Sequence, residues 1–307
     1  MQPKWIQEIS RFNKVKNFFL LYGNIYDVFA YDINSNTITL PLDKYIEKYL
    51  VEKEAYSFVV KYEPLFGFYG LNTEFQSKDI TLESAYKTIE DILSNREGSC
   101  VLIDFTSRLK DIAGRDLEEF LYKLFRLSYK LTPKMVDNTP KYNLLTFLVD
   151  KENDLPAWFS IDNQNLKSIA IAKPDEQERD AIASNVLKLF DDYDSLTEQK
   201  QKEIKMFFVT QTSGMFAREI VSIVTLALRD NLQAAQISEA IRRYKVGISE
   251  NQWAKIDKDR LKNAKEIISQ RVIGQEVAVS KAVRSIKRAF FNLSGAQYSR
   301  YSRSLSD

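Results

Sequence analysis

Any chemistry in this chain has to proceed without imidazole. Its 307 residues contain no histidine, and Cys100 is the only cysteine. That removes Ser/His/Asp and Cys/His nucleophile arrangements, the two-histidine zinc helix and any intrachain disulfide. What remains is carboxylates, lysines, or a bound nucleotide with its metal. Asp104 ends the apolar run Cys100–Asp104 (CVLID). A carboxylate there is a candidate metal ligand, and it can equally cap the turn that follows a strand. Arg218 lies in Gly214–Ile220 (GMFAREI), just past the break at Ser213-Gly214. It can face an anion, or serve as an exposed helical arginine with an intrahelical partner. Phosphate binding would need a glycine-rich loop with a lysine on the β/γ-phosphates, and no G-x-x-x-x-G-K-[ST] occurs.

The elements that must position these residues are legible from period. Five short apolar runs, Asn17–Tyr22, Ser57–Tyr62, Cys100–Asp104, Asn143–Val149 and Lys167–Ala172, read as buried parallel strands. Helical spacing fills the gaps at Leu42–Val51, Leu82–Asn95 and Arg115–Leu131, so helices should cover both faces of the sheet. Tyr26–Leu40 breaks this rhythm, with VFAYD and TITL flanking Ile33–Asn36 as a hairpin inserted after the first strand. From Asp175 the strand signal stops. Helices are expected at Glu176–Phe190, Thr197–Thr210, Met215–Asn231 and Ala234–Tyr244, with Ser195 or Asp194 capping the second. Residues 245–256 read as a linker. Two further helices, Asp257–Gln270 and Glu276–Leu293, precede a tail, Ser294–Asp307, that has little to bury and is expected to be mobile.

Composition agrees with a packed, helix-rich α/β protein: 44% apolar and 28% charged residues, with 9 Gly and 7 Pro. No apolar run approaches the roughly 18 residues of a membrane helix, and the N-terminus carries no apolar signal stretch. The lone cysteine, in an apolar run, fits a reducing cytoplasm and a buried thiol. Charge is uneven. Residues 1–250 hold 32 basic against 37 acidic side chains (−5), and residues 251–303 hold 12 against 4 (+8). The basic residues fall at helical spacing without interleaved aromatics, which argues for a solvated helix face rather than a nucleic-acid footprint.

Arg271–Ala289 (RVIGQEVAVSKAVRSIKRA) resembles the start of the second ATPase module of Clp-type AAA+ unfoldases. In that family a helix leads into V-I-G-Q and an Ala/Val-rich helix with basic residues follows, ahead of a strand and phosphate-binding loop that would lie past Asp307. The resemblance implies that Val272 and Ile273 border the adenine of a nucleotide and that Gly274 lets the chain turn closely past it. The plain alternative is that Val272 and Ile273 staple one helix to the next. Residues 1–246 are similar, more faintly, to a complete AAA+ module: a five-stranded parallel P-loop-like sheet with helices on both faces, then an all-helical lid. Cys100–Asp104 resembles the Walker B strand, which makes Asp104 the Mg2+ residue. Asn143–Asp150 stands at sensor 1, Ser168–Arg179 leads into the lid, and Arg218 resembles the sensor-2 arginine at the γ-phosphate.

The departures weigh more. Gly23-Asn24-Ile25-Tyr26-Asp27 follows the first strand where a phosphate loop belongs, with one glycine and no lysine, and Phe105 replaces the family's water-polarising Glu. The expectation is a degenerate module (1–174 α/β, 175–246 lid, 247–256 linker, 257–307 leading helices of a second module) with no catalytic residue of its own. ATP and Mg2+ are expected in a longer parent protein, and neither is expected to bind tightly to this chain. The implied role is assembly, protein-partner binding or regulation of a downstream motor in a cytoplasmic homo-oligomeric ring of an unfoldase or chaperone, with no membrane. The alternative is a stand-alone interaction scaffold without ATPase activity.

Overall fold

Alternation within each strand decides the architecture. The computed structural model describes residues 2–33, 36–70, 81–108, 115–247, 261–270, 272 and 274–290. Its first unit, Met1–Ile241, opens with α1 (Lys4–Phe12), β1 (Phe18–Gly23), the antiparallel hairpin β2 (Val28–Ile33) and β3 (Asn36–Pro41), then α2 (Leu42–Glu54). Next come β4 (Phe58–Glu63), β5 (Gly67–Gly70), α3 (Leu82–Asn95), β6 (Ser99–Ile103) and α4 (Arg115–Lys130). A small hairpin of β7 (Lys134–Val136) and β8 (Thr139–Lys141) precedes β9 (Leu144–Val149), α5 (Ala157–Ser160) and β10 (Leu166–Ile171).

The main sheet runs β10-β1-β9-β6-β4-β5, with the first five strands parallel and β5 antiparallel at the edge. Five parallel strands were expected. The sixth forms because Glu63–Gly67 is a hairpin turn, with Gly67 at φ +77°, that folds Gly67–Gly70 back on β4. Phe18 and Leu20 of β1 join Val101, Ile103 and Phe147 against α3, α4 and Phe159 of α5. Phe19 and Leu21 point the other way, with Cys100, Leu102 and Ile169, against α1, α2 and Phe29 and Tyr31 of the hairpin. Period-2 strands with both faces apolar therefore need helices on both sides.

After β10 the chain is helical: α6 (Glu176–Val186), α7 (Glu198–Gln211), α8 (Ala217–Arg229) and α9 (Ile237–Val246). Ile182, Phe208, Ile220, Val224 and Ile241 form their common core. Val28 and Ala30 of β2 pack on this lid core while Phe29 and Tyr31 enter the sheet's core, so the inserted hairpin is shared by both. The α7 cap is Thr197, whose Oγ1 accepts from Lys200 N–H. Asp194 and Ser195, the expected caps, instead belong to the 3-10 turn Tyr193–Ser195. The buried Arg179 guanidinium donates to the carbonyls of Pro174 and Val209, tying α6 to α7.

The second unit, Arg242–Asp307, contains α10 (Ala264–Ser269) and α11 (Glu276–Phe290), with Leu261, Val279 and Val283 buried. The expected linker, from residue 248 onward, and the tail from Ser294 lie outside the described residues. No helix among the described residues is long and apolar enough to cross a membrane.

One buried polar network was not expected. Glu54, at the end of α2, accepts from Lys141 at 2.8 Å, from Asn13 at 3.0 Å and from the Ser10 hydroxyl. Burial pushes its carboxyl pKa up, but these donors outweigh burial and hold it below the ordinary value. Removing one member strands the other charge in a dry site. Glu54→Ala should cost about 3–5 kcal/mol in a urea titration, and Ser10→Ala much less.

Candidate functional site

The chain leaves β1 through the hairpin and α2 on one face of the sheet, and leaves β9 through α5 on the other. Connections therefore diverge at the carboxyl ends of these neighbouring strands, where open α/β sheets form their ligand crevice. Gly23 ends β1 there at φ +101°, with its N–H donating to Asp150 O at 3.2 Å. A Cβ at this position would stand 2.8 Å from Ile171 O, so only glycine fits. The Asn24 N–H donates to Ile171 O at 2.9 Å, so the chain leaves β1 still bonded to both neighbouring strands, β9 through Gly23 and β10 through Asn24.

The loop after β1 stands at this crevice, with Tyr26 half exposed. The Tyr26 ring lies 6.1 Å from that of Phe105. Its phenol pKa is pushed up to about 12 by burial, then by the Asp150 charge and hydrogen bond and by Asp104. Asp27 is 3% exposed. Its Oδ2 accepts from Asn24 Nδ2 at 2.8 Å and from Ala217 N–H at 2.8 Å, and its Oδ1 accepts from Arg218 N–H at 2.7 Å. The residue at the N-cap of α8 is Phe216, which has no acceptor, so Asp27 performs the capping from 190 positions away in sequence. The free N–H groups and dipole at a helix start favour an anion, and here the chain supplies it. Around this contact the Arg218 guanidinium donates to Tyr26 O at 3.3 Å. Lys173 donates to Gly214 O at 2.9 Å and lies 3.9 Å from the centre of the Phe216 ring.

Asp104, buried at the end of β6, is ion-paired with Lys61 of β4 at 2.6 Å. Lys61 also reaches Asp43 of α2 at 3.1 Å. Burial lowers the Lys61 pKa, but Asp104, Tyr69 and Asp43 outweigh it and raise the value above that of a free lysine. The other oxygen of Asp104 accepts from the N–H of Phe105, itself at φ +51°. Asp104 thus caps its own turn. Among the described residues no three His, Cys, Asp or Glu side chains converge as metal ligands. Arg108 pairs with Asp150 at 3.2 Å on the same rim. Beside Asp27, a cavity of about 220 Å3 opens between Trp5, Phe29, Ala172 and Ile182, and Trp5 Nε1 has no hydrogen-bond partner among the described residues.

The structure therefore brings Asp104 and Arg218 to one end of the sheet, each already engaged by protein groups. Val272 and Gly274 lie in the second unit. Val272 is 42% exposed and donates its N–H to Ile268 O at 3.0 Å. Gly274 turns the chain at φ +79°, yet no described atom lies within 4 Å of a Cβ placed there, so it turns without a close approach. Ile273 lies outside the described residues. Sequence reading missed Asn24, Asp27 and Lys61. The signal available was Asn-x-x-Asp after a strand, a pairing suited to local polar bonding.

Lys61→Met should destabilise the fold by about 2–4 kcal/mol by stranding Asp104, and adding Asp104→Asn should recover a substantial part. Equal or additive losses in the two variants would contradict this pairing. Tyr26 stays protonated in the folded chain where an unfolded tyrosine ionises, so its contribution is complete below about pH 10 and is lost as pH rises towards about 12. Alkaline loss of thermal stability over that window should be shallower in Tyr26→Phe.

The profile of the family described as AAA+ chaperone, N-terminal Rossmann-like domain, matches residues 1–172. A search of curated proteins found no match to the chain. Among solved structures it is similar to the FIGL-1 AAA domain in complex with ADP, at 16% identity and TM-score 0.45, covering 80% of this chain and 78% of that one. It is also similar to C. elegans PCH-2, at 14% identity and TM-score 0.47, covering 80% and 68%. With the family profile spanning more than half its length over the sheet just described, the chain belongs to the AAA+ chaperones, as a bearer of their N-terminal Rossmann-like domain.

Proposed function

We propose that residues 1–246 form a non-hydrolysing AAA+ module that acts through protein contacts, in assembly, partner binding or regulation of a downstream ATPase module of Clp type. One observation carries this reading: the place a triphosphate would occupy holds Asn24–Asp27, with the Asp27 carboxylate on the N–H groups of α8. Supporting it, Asp104 has an ammonium at 2.6 Å where Mg2+ chemistry would need a free carboxylate, and Phe105 follows it with no acid to orient water. These residues do not fit Mg2+ and a triphosphate. Hydrolysis, with ATP and Mg2+, is assigned to the parent protein's second module, where Val272, Ile273 and Gly274 would border adenine. The partners are other protein chains, in a homo-oligomeric cytoplasmic ring of a chaperone or unfoldase.

Calorimetric titration of the 307-residue chain with ATP and Mg2+ should give no binding tighter than a Kd of about 1 mM, and phosphate release should stay at the level of the buffer blank. Micromolar ATP binding that Asp104→Ala abolishes would overturn the reading.

A further inference from the structure

We propose that Asp27 is a built-in latch: its carboxylate takes the part of a bound phosphate at the start of α8 and holds the helical lid to the sheet in one arrangement without any nucleotide. The lid has a core of its own, and the sheet has two. What crosses from one to the other is therefore what sets their angle. The apolar share of that contact, Val28 and Ala30 of β2, is non-directional and tolerates sliding. The Asp27 contact does not. Its two oxygens face two successive N–H groups at 2.8 and 2.7 Å, so lid rotation breaks both bonds and leaves a 3%-exposed carboxylate with the Asn24 amide as its remaining partner. Asn24 completes the device. Its amide donates to Asp27 Oδ2 at 2.8 Å and to Ala172 O at 3.4 Å, referring the carboxylate to the end of β10.

The device has a direction. A phosphate could reach the Ala217 and Arg218 N–H groups only by displacing Asp27, which already occupies both. The lid angle in this unit is accordingly set by the sequence rather than by nucleotide state, and it would yield only to something that pulls Asp27 away. The inference concerns the joint alone and makes no assumption about hydrolysis elsewhere.

Spin labels at Lys87→Cys in α3 and Gln199→Cys in α7, both exposed positions, report the lid angle, while the fully buried Cys100 stays unlabelled. In the full chain the distance distribution should be single and narrow, and should broaden at least twofold in Asp27→Asn, which sets an amide donor against helix donors. In Asp27→Ala/Phe216→Asp the α8 start is capped locally while the tie to the sheet stays cut. Broadening in this double variant separates latching from helix capping. Distributions in both variants that superimpose on the parent would overturn the proposal. Should neither variant fold, hydrogen exchange of the parent decides. Ala217 and Arg218 amides protected at least about 100-fold support the latch, and exchange within about tenfold of the unprotected rate overturns it.

Discussion

Everything at the carboxyl edge of this sheet depends on where one buried carboxylate gets its protons' worth of hydrogen bonds. A helix start presents donors that must be satisfied, and Phe216 cannot satisfy them from its own side chain. Asp27 can, because the loop after β1 brings it there from Gly23, whose positive φ against Ile171 O no other residue fits. The constraint propagates outward. With the loop in this position, Tyr26 comes to rest near Phe105 and Asp150, and Arg218 turns its guanidinium to the Tyr26 carbonyl rather than outward to a ligand.

Asp104 is satisfied by protein groups in a similar way. A carboxylate at the end of a buried strand needs a counter-charge or water, and Lys61 supplies the first from the adjacent strand while Phe105 N–H supplies a hydrogen bond. Asp27 and Asp104 are thus each satisfied by protein groups, whereas Trp5 Nε1 and Asp150 Oδ1 have no hydrogen-bond partner among the described residues. Membership of the AAA+ chaperones fixes the kind of scaffold, and the side chains on its edge fix what that scaffold is able to do.

Much of the architecture was legible because period survives in a single sequence. Five strands appear within a residue of their apolar runs, and Leu82–Asn95 matches its helix residue for residue. The losses have physical causes. α1 begins after Pro3 with no capping side chain and interleaves its buried Trp5, Ile6 and Ile9 with charges, so it gave no start signal. β5 hides in YEPLFGFYGL, where one proline and two glycines read as loop, and the β7–β8 hairpin turns on Asp137 and Asn138 at positive φ rather than on glycine. The site was half legible. Missing glycines and lysine in Gly23–Asp27 were visible at once, but that Asp27 would serve a helix 190 residues on is a tertiary fact that no local window contains.

The most direct test is an electron-density map of the chain crystallised with Mg2+ and a non-hydrolysable ATP analogue at saturating concentration. The account predicts Asp27 still bonded to the Ala217 and Arg218 N–H groups, Lys61 still on Asp104, and no ordered triphosphate at the ends of β1 and β9. Phosphate density on those two N–H groups, with Asp27 swung away, would contradict it.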